Sequence, residues 1–340
     1  MRHELRPVPL ALLLLTALCL LSGCERLDLT DPLADAYATL VPGTSSILPQ
    51  AEDSQPVRST TEAILWFRYL DEPYLAPEVR TITRSASQTY EMALISQLLL
   101  GPGAASPELG SLFPEGTRVL STVKQGRTMF VTFSSQIMDA YADEPVDWQE
   151  SSAWRTEAPL RRVLCMQSLV ATITENCDVD QVQVLVQSGS SSVSSLRLRQ
   201  NYFLDDSEDA VLASPLTRDD SLLLGCEQTL SLILENWIHQ DWARLYRSIA
   251  ARDPVSGESR VDQDTFIRQM QALPTVTAAQ KSTATLSADG TCATFAVGFT
   301  VLTASGTTKQ VSSRILRLYR DDGLWRTSFD QLTGWMEGIE

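Results

Sequence analysis

The sequence predicts an α+β protein with two folded regions, and three observations support this. Residues 61–190 alternate patterns in the order strand, helix, paired strands, helix, strand. Residues 221–340 begin with helical patterns and then change to a period of two, interrupted by three turns that contain glycine. The chain has 340 residues, of which 44% are hydrophobic, so it is long and apolar enough for two domains of ordinary size.

The first region begins with two extended segments and a helix. Ala63–Tyr69 is predicted to be a strand, and Arg80–Thr83 a second short one. Ser87–Leu100 is predicted to be helical because its large apolar residues recur at helical spacing, and Gly101-Pro102 ends it.

A hairpin, a second helix and a last strand complete the first region. Arg118–Val123 and Met129–Phe133 are predicted to pair across the turn at Lys124–Arg127. Leu160–Thr174 carries apolar residues along one helical face, and Val182–Val186 is an apolar run of strand length. This order indicates one α+β unit.

Residues 191–220 are predicted to be a linker between the two regions. Ser188–Ser195 is nearly all serine and glycine, which is typical of a loop. Leu196–Thr217 has few periodic features, and we expect at most one short strand there.

The second region begins with helices. Leu222–Ala250 has helical periodicity on both sides of an expected break at His239-Gln240-Asp241. Val261–Leu273 is predicted to be a further short helix, ended by Pro274.

Four strands are then predicted to form an antiparallel meander. Asp289-Gly290, Ser305-Gly306 and Asp322-Gly323 are hairpin signals. Alternate apolar residues of the second strand should face the helices. The predicted strands are Lys281–Ser287, Thr291–Thr303, Lys309–Arg320 and Leu324–Phe329, and the inward residues are Phe295, Val297, Phe299 and Val301.

The N-terminus has the three parts of an export signal: basic residues in Met1–Arg6, the apolar run Val8–Leu21, and small residues before Cys24. Leu21-Ser22-Gly23-Cys24 is similar to the bacterial lipobox. This resemblance implies that residues 1–23 are removed and that Cys24 receives a diacylglycerol with palmitate-type chains. The alternatives are an ordinary signal peptide with a chance cysteine, or an uncleaved anchor. Residues 24–60 are rich in Pro, Ser, Thr and Asp and are predicted to be a flexible tether.

The charge and the cysteines narrow the classes of partner and site. A net charge of -15 disfavours nucleic acid, because binding to phosphate rests on lysine and arginine. After Cys19 and Cys24, four cysteines remain, and these permit either two disulfides or free thiols that behave as small hydrophobic residues. No CxxC pair occurs, which argues against structural zinc. The four cysteines are Cys165, Cys177, Cys226 and Cys292.

Candidate chemical sites are few, and no catalytic residue or cofactor is predicted. After the leader the chain has one histidine, His239, which with Asp241 is the candidate pair for a pocket. Two residues apart on a helix they would not face each other, which favours a capping or solvated role. Ser121–Lys124 matches S-x-x-K but lacks the partner motifs. The acidic runs 205–209 and 219–220 lack the glycine and closing glutamate of a calcium loop.

The first region resembles the GerMN domain, on an ordered set of short motifs. This resemblance implies an α/β sandwich, similar to the ring-building motifs of assembled membrane complexes, and a non-enzymatic module of sporulation and the cell envelope. The motifs are Leu75–Arg80, Leu98–Pro102, Leu112–Thr117, Phe130–Ser134, Ser168–Thr172 and Val182–Val186.

Residues 221–337 look like the NTF2-like cone, in which helices precede a curved antiparallel sheet. Together, these features predict a lipoprotein on the extracytoplasmic face of the cell membrane that binds or assembles at the envelope in sporulation or germination. Its expected partners are the membrane through its lipid, envelope or sporulation proteins, or peptidoglycan. The alternative is a lipoprotein that binds a small molecule inside the cone, and a third possibility is an envelope hydrolase.

Overall fold

The computed structural model describes residues 59–339, except 86, 189–193, 206–210 and 304. The predicted signal peptide, Cys24, almost all of the tether and most of the acidic run at 205–209 therefore lie outside the described residues. Within the described residues, no helix combines the length and the hydropathy needed to cross a membrane.

The first sheet has three strands in the order β2-β1-β3. Strand β1 (Ser59–Tyr69) pairs antiparallel with β2 (Leu75–Arg84) along its whole length, and β3 (Leu109–Gly110) pairs with the end of β1. Helix α1 (Tyr90–Leu99) follows β2 and begins at Thr89, whose hydroxyl accepts a hydrogen bond from the Met92 N–H. The two predicted strands and the helix are confirmed, and β2 is longer than expected.

The second sheet contains a parallel pair. Strands β4 (Val119–Gln125) and β5 (Thr128–Phe133) form the predicted hairpin, and β6 (Gln181–Gln187) pairs parallel with β5. Helix α2 (Trp154–Asn176) is the connection between these parallel strands. It begins six residues before the predicted start, and Pro159 lies inside it.

The stretch that the sequence indicated as a linker contributes to this second sheet. Strands β7 (Ser195–Arg197) and β8 (Leu216–Thr217) both pair antiparallel with β6. Between them, Tyr202 and Leu198 are buried in the first core. The expectation of at most one short strand was therefore wrong, because two separate segments form backbone hydrogen bonds with β6. The predicted domain boundaries stay a prediction.

Helix α2 closes the open edge of β1 with side chains instead of with a strand. The Thr172 hydroxyl accepts a hydrogen bond from the Trp66 N–H (3.0 Å), and the Ser168 hydroxyl donates one to the Trp66 carbonyl (2.6 Å). One turn further on, the Asn176 amide pairs with both backbone groups of Ile64 (3.0 and 2.7 Å). Polar residues at i, i+4 and i+8 thus satisfy an edge that would otherwise attract another strand.

The C-terminal region begins with three helices, and the predicted break between the first two is confirmed. These are α3 (Cys226–Ile238), α4 (Trp242–Arg247) and α5 (Gln263–Gln271). Each is shorter than its predicted segment, since residues at both ends of the periodic patterns form caps and turns.

A five-stranded antiparallel sheet follows the helices and forms a curled half-barrel. Two separate strands, β9 (Thr275–Lys281) and β10 (Thr285–Leu286), pair with different parts of β11 (Cys292–Leu302). The second and third predicted strands are confirmed, but the bounds of the first, Lys281–Ser287, were wrong, because the residues directly after Pro274 already pair with β11. The last predicted strand ends at Arg326, and helix α6 (Phe329–Gly334) begins at its final residue. The elements are β9 (Thr275–Lys281), β10 (Thr285–Leu286), β11 (Cys292–Leu302), β12 (Thr308–Asp321), β13 (Leu324–Arg326) and α6 (Phe329–Gly334).

Aromatic side chains fill the space between this sheet and the helices. Trp335 stacks on Trp237 of α3 (5.8 Å between ring centroids) and on Phe299 of β11 (5.6 Å). The predicted inward face of β11 is confirmed, because its alternate apolar residues are buried. Trp335 follows α6, so the C-terminal segment is part of this core.

The two hydrophobic cores meet along a contact with apolar and ionic parts. The Leu224 N–H donates to the Leu75 carbonyl (2.8 Å), and Leu324 packs into the first core. Arg326 pairs with Glu108, and both side chains are largely buried. A second ion pair joins Arg244 of α4 to Glu72 (2.9 Å), so hydrophobic and ionic contacts together join the two regions.

Candidate binding groove

The motif residues Glu78 and Arg80 hold the chain where helix α1 ends. The Arg80 guanidinium donates to the carbonyls of Gln97 (3.1 Å) and Gly101 (3.0 Å), which α1 itself leaves without partners. Glu78 pairs with Arg80 and accepts a hydrogen bond from the Gly103 N–H (2.8 Å). The first two motifs of the first region therefore form one clamp, and their role is structural.

Two glycines shape the neighbouring loops. Gly101 has a φ of +83° and Gly116 a φ of +78°, a backbone region that favours glycine. Gly101 follows the end of α1, as predicted. Gly116 allows a tight turn in which the Thr117 N–H and hydroxyl both donate to the Pro114 carbonyl (3.2 and 2.7 Å). The third motif, Leu112–Thr117, is thus a rigid loop.

This loop forms one wall of a groove of about 530 Å³. The end of β1, the last residue of α1, the segment after β3 and one residue of α2 form the rest. Apolar side chains and charged ones both contribute. The apolar lining residues are Leu70, Leu99, Leu112, Phe113 and Pro114, and the charged ones are Arg68, Asp71, Glu115, Asp143 and Arg161.

Arg68 is a buried charge with a full set of partners. Its side chain is 7% exposed, and its guanidinium pairs bidentately with Glu157 of α2. It also donates to the carbonyls of Glu72 (3.1 Å) and Asp71 (2.9 Å). Burying this charge is tolerated because it is both paired and hydrogen-bonded. The guanidinium therefore stabilises the end of β1.

Arg161 is held in the same way at the side of the groove. It donates to both carboxylate oxygens of Asp143 (2.6 and 2.8 Å) and to Glu157 (2.6 Å). Its guanidinium also lies over the rings of Tyr141 (5.4 Å) and Trp154 (5.0 Å), which adds a cation–π contribution. Arg161 is therefore fixed in one orientation.

The two carboxyl groups that face these arginines are ionised at neutral pH. Burial raises the pKa of Glu157, but hydrogen bonds from Arg68 and Arg161 outweigh burial, and the net pKa lies below the usual value. The hydrogen bonds from Arg161 lower the pKa of Asp143. These groups act as fixed charges near pH 7, a property that suits binding better than proton transfer.

A buried polar layer supports the groove from below. Arg162 lies between the rings of Tyr141 (5.1 Å) and Tyr202 (5.3 Å) and pairs with Glu144 (3.5 Å). Burial raises the pKa of the adjacent Cys165 thiol to about 12, so the thiol is neutral. Tyr141, which lines the groove, is therefore held by its neighbours on the buried side.

The predicted pocket candidates lie elsewhere and have capping positions. His239 is exposed at the C-terminal end of α3. Asp241 begins α4, where its carboxylate accepts a hydrogen bond from the Arg244 N–H (3.1 Å). Ser121 and Lys124 lie on strand β4, not one helical turn apart.

Cysteines and acidic residues form neither disulfides nor metal sites in the part of the chain that the structure describes. Cys165, Cys177, Cys226 and Cys292 are all free thiols there. No group of three or more His, Cys, Asp or Glu side chains is placed to hold a metal ion among the described residues. Asp219 caps a short 3₁₀ helix, and Asp220 pairs with Arg218. Of the sequence alternatives for the cysteines, the free thiols are the ones found.

Sequence reasoning missed the groove, although one local signal was available. Glu157 and Arg161 are four residues apart on a helix, a spacing that favours an ion pair. Arg68, however, is 89 residues from Glu157 in the chain. Nothing local in the sequence predicts that contact.

The groove lies inside a segment that matches a known family. Residues 67–190 match the family model described as Germane, sporulation and spore germination. These residues form a Germane domain. The match confirms the GerMN resemblance predicted for the first region. All lining residues of the groove fall within the Germane domain.

Solved structures are similar to part of the chain. The tandem GerMN domains of the sporulation protein GerM from Bacillus subtilis have 19% identity and a TM-score of 0.31, covering 48% of this chain and 48% of that one. The first GerMN domain of the same protein has 17% identity and a TM-score of 0.25, covering 47% and 96%. A lipoprotein, so described provisionally, from Clostridium perfringens has 16% identity and a TM-score of 0.26, covering 48% and 89%. No curated protein matches the chain.

The chain thus spans about half the length of the tandem-domain protein. The NTF2-like family of the second region stays a prediction. Its helices and antiparallel sheet are observed.

Proposed function

We propose that this protein is a non-catalytic binding or assembly factor at the cell envelope in sporulation or spore germination. The observation that carries the proposal is the Germane match over residues 67–190, which contains the groove. Expected partners are envelope or sporulation proteins, or peptidoglycan.

A binding role is supported by the way the groove is built. Its arginines are fixed by carboxylates and carbonyls, and its lowered carboxyl pKa values leave these groups charged at neutral pH. Such a surface recognises shape and charge without a group poised for proton transfer. Its volume lies within the range of ordinary ligand sites.

Anchoring is supported by the sequence around Cys24. A diacylglycerol on its thiol would hold the protein on the extracytoplasmic face of the cell membrane, and residues 25–60 would separate the folded part from the lipid. The acidic mature chain does not offer a basic surface as a substitute anchor.

The alternative, a small molecule held inside the C-terminal cone, is not favoured. Trp335, Trp237 and Phe299 stack in the space between sheet and helices, where that ligand would bind. We therefore place the functional surface on the Germane domain.

The anchor and the role are tested together by complementing a deletion strain. Cys24→Ala should move the protein out of the membrane fraction and abolish labelling by radioactive palmitate, whereas Cys19→Ala, a cysteine of the same leader, should change neither. Deletion should lower the yield of heat-resistant spores or their germination, and only the wild type and Cys19→Ala should restore it. Normal sporulation and germination in the deletion strain would contradict the role, and membrane retention of Cys24→Ala would contradict the anchor.

A further inference from the structure

The groove has an apolar part and lies beside strand β3. Leu70, Leu99 and Phe113 contribute to this apolar part. Strand β3 is the last strand of its sheet, and the exposed Ser111 follows it directly. The Leu109 N–H of this two-residue strand already donates to the Ser106 carbonyl (3.0 Å), so a bound extended segment would be held mainly by side chains that enter the groove.

The charge of the groove is negative once its internal pairs are counted. Arg68 and Arg161 are neutralised by Glu157 and Asp143. Asp71 is 90% exposed, and its nearest cation, Arg244, is 3.8 Å away and already bound to Glu72. Glu115 is exposed and has no ion-pair partner among the described residues. The charged lining residues are two arginines and three carboxylates, a net charge of −1, and Glu157, which pairs with both arginines, makes the total −2.

We propose that this groove binds an extended segment of a partner protein that carries lysine or arginine beside an aliphatic side chain. The aliphatic side chain packs on the apolar part of the groove, and the cation pairs with Asp71 and Glu115. Charge complementarity selects this occupant: these carboxylates repel an acidic segment, and the arginines have no free charge to offer it. This inference rests on the proposed binding function and names the partner's chemistry.

The test uses a library of random seven-residue peptides displayed on phage, selected on the immobilised mature chain. Enriched peptides should carry Lys or Arg next to Leu, Ile or Val. Synthetic copies of these peptides should bind the wild type with an affinity that falls as salt is added. They should bind the Asp71→Asn/Glu115→Gln variant about three- to tenfold more weakly than the wild type. The control variant Glu258→Gln/Asp264→Asn removes two exposed carboxylates of the C-terminal region and should bind like the wild type.

Each other outcome overturns the inference. Enrichment of acidic peptides, absence of any enrichment, or equal binding by both double variants would show that the groove does not select a basic segment. A second experiment titrates the wild type and the Asp71→Asn/Glu115→Gln variant with soluble peptidoglycan fragments. If the wild type binds the fragments and the variant does not, the ligand of the groove is the cell wall and the inference is wrong. Failure of these tests leaves the spore phenotype of the deletion strain intact, so the proposed function is judged separately.

Discussion

At the scale of single residues, Glu157 is the carboxylate that organises the groove. It neutralises Arg68 and Arg161 at once, and both arginines are otherwise largely buried. Replacing it would leave two guanidinium groups short of an anion in a partly desolvated site. A buried charge left unpaired in this way destabilises the folded state by more than the intact ion pair stabilises it.

The lowered pKa of Glu157 predicts how stability depends on pH. Because its folded-state pKa lies below the usual 4.5, its contribution is fully present above that value and is lost as the pH falls through the folded pKa. Glu157→Gln should therefore lower the free energy of unfolding at about pH 7 and flatten its decline as the pH falls below 4.5. Urea unfolding at several pH values measures both effects.

Glu150→Gln is the matched control, since Glu150 is an exposed carboxylate just before α2. It should keep the wild-type pH profile. An equally steep acid decline in Glu157→Gln would show that this carboxylate does not supply the acid sensitivity.

At the scale of elements, α2 shows how tertiary contacts override local preference. Pro159 lies inside the helix, a position that ordinarily breaks one. The turn around it is held by Glu157, which pairs with Arg68, and by Trp154, which lies under Arg161. The same helix supplies the polar residues that close the β1 edge.

The edge contact predicts a specific cost of mutation. Thr172→Val keeps the shape of the side chain but leaves the buried Trp66 N–H without an acceptor, so it should lower the free energy of unfolding by about 1–3 kcal/mol. Amide hydrogen exchange at Trp66 should accelerate. The measurements are denaturant unfolding and hydrogen exchange followed by NMR.

Thr174→Val makes the same chemical change two residues away, where the hydroxyl bonds only to carbonyls of its own helix. It should change the free energy of unfolding by no more than about 0.5 kcal/mol. Equal effects of the two substitutions would mean that the edge contact adds nothing to stability.

The elements also show how far local patterns reach. The hairpin turns, the break at His239–Asp241 and the buried face of β11 follow from turn chemistry and period, which are local. Strand β9, helix α6 and one of the two short strands β7 and β8 were missed. Each is stabilised by a sheet or core whose other residues lie elsewhere in the chain.

At the scale of the whole molecule, Glu108 and Arg326 join the two hydrophobic cores. Both side chains are largely buried, and Arg326 also donates to the Arg247 carbonyl. Both charges of such a pair have been removed from water. If one partner is deleted, the other stays buried without a counter-charge, and the fold is destabilised.

A double-mutant cycle measures this contact. Glu108→Ala and Arg326→Ala should each lower the free energy of unfolding by about 2–4 kcal/mol, and the double variant should cost less than their sum by about 1–3 kcal/mol. The exposed pair Arg127 and Asp180 is the control and should show no measurable coupling. Additive effects of Glu108→Ala and Arg326→Ala would show that the two regions are not joined through this pair.

The sequence by itself carried the prediction of an export signal with an acylation cysteine, the order of the main elements and the motifs of the Germane domain. These features depend on residues that are close together in the chain, so the sequence alone can predict them. Only the tertiary structure decided where the charges meet: Arg68 with Glu157, Glu108 with Arg326, and the Asp71 and Glu115 carboxylates along one groove. These contacts depend on how strands and helices pack. Because the residues lie far apart in the chain, no local sequence pattern predicts them.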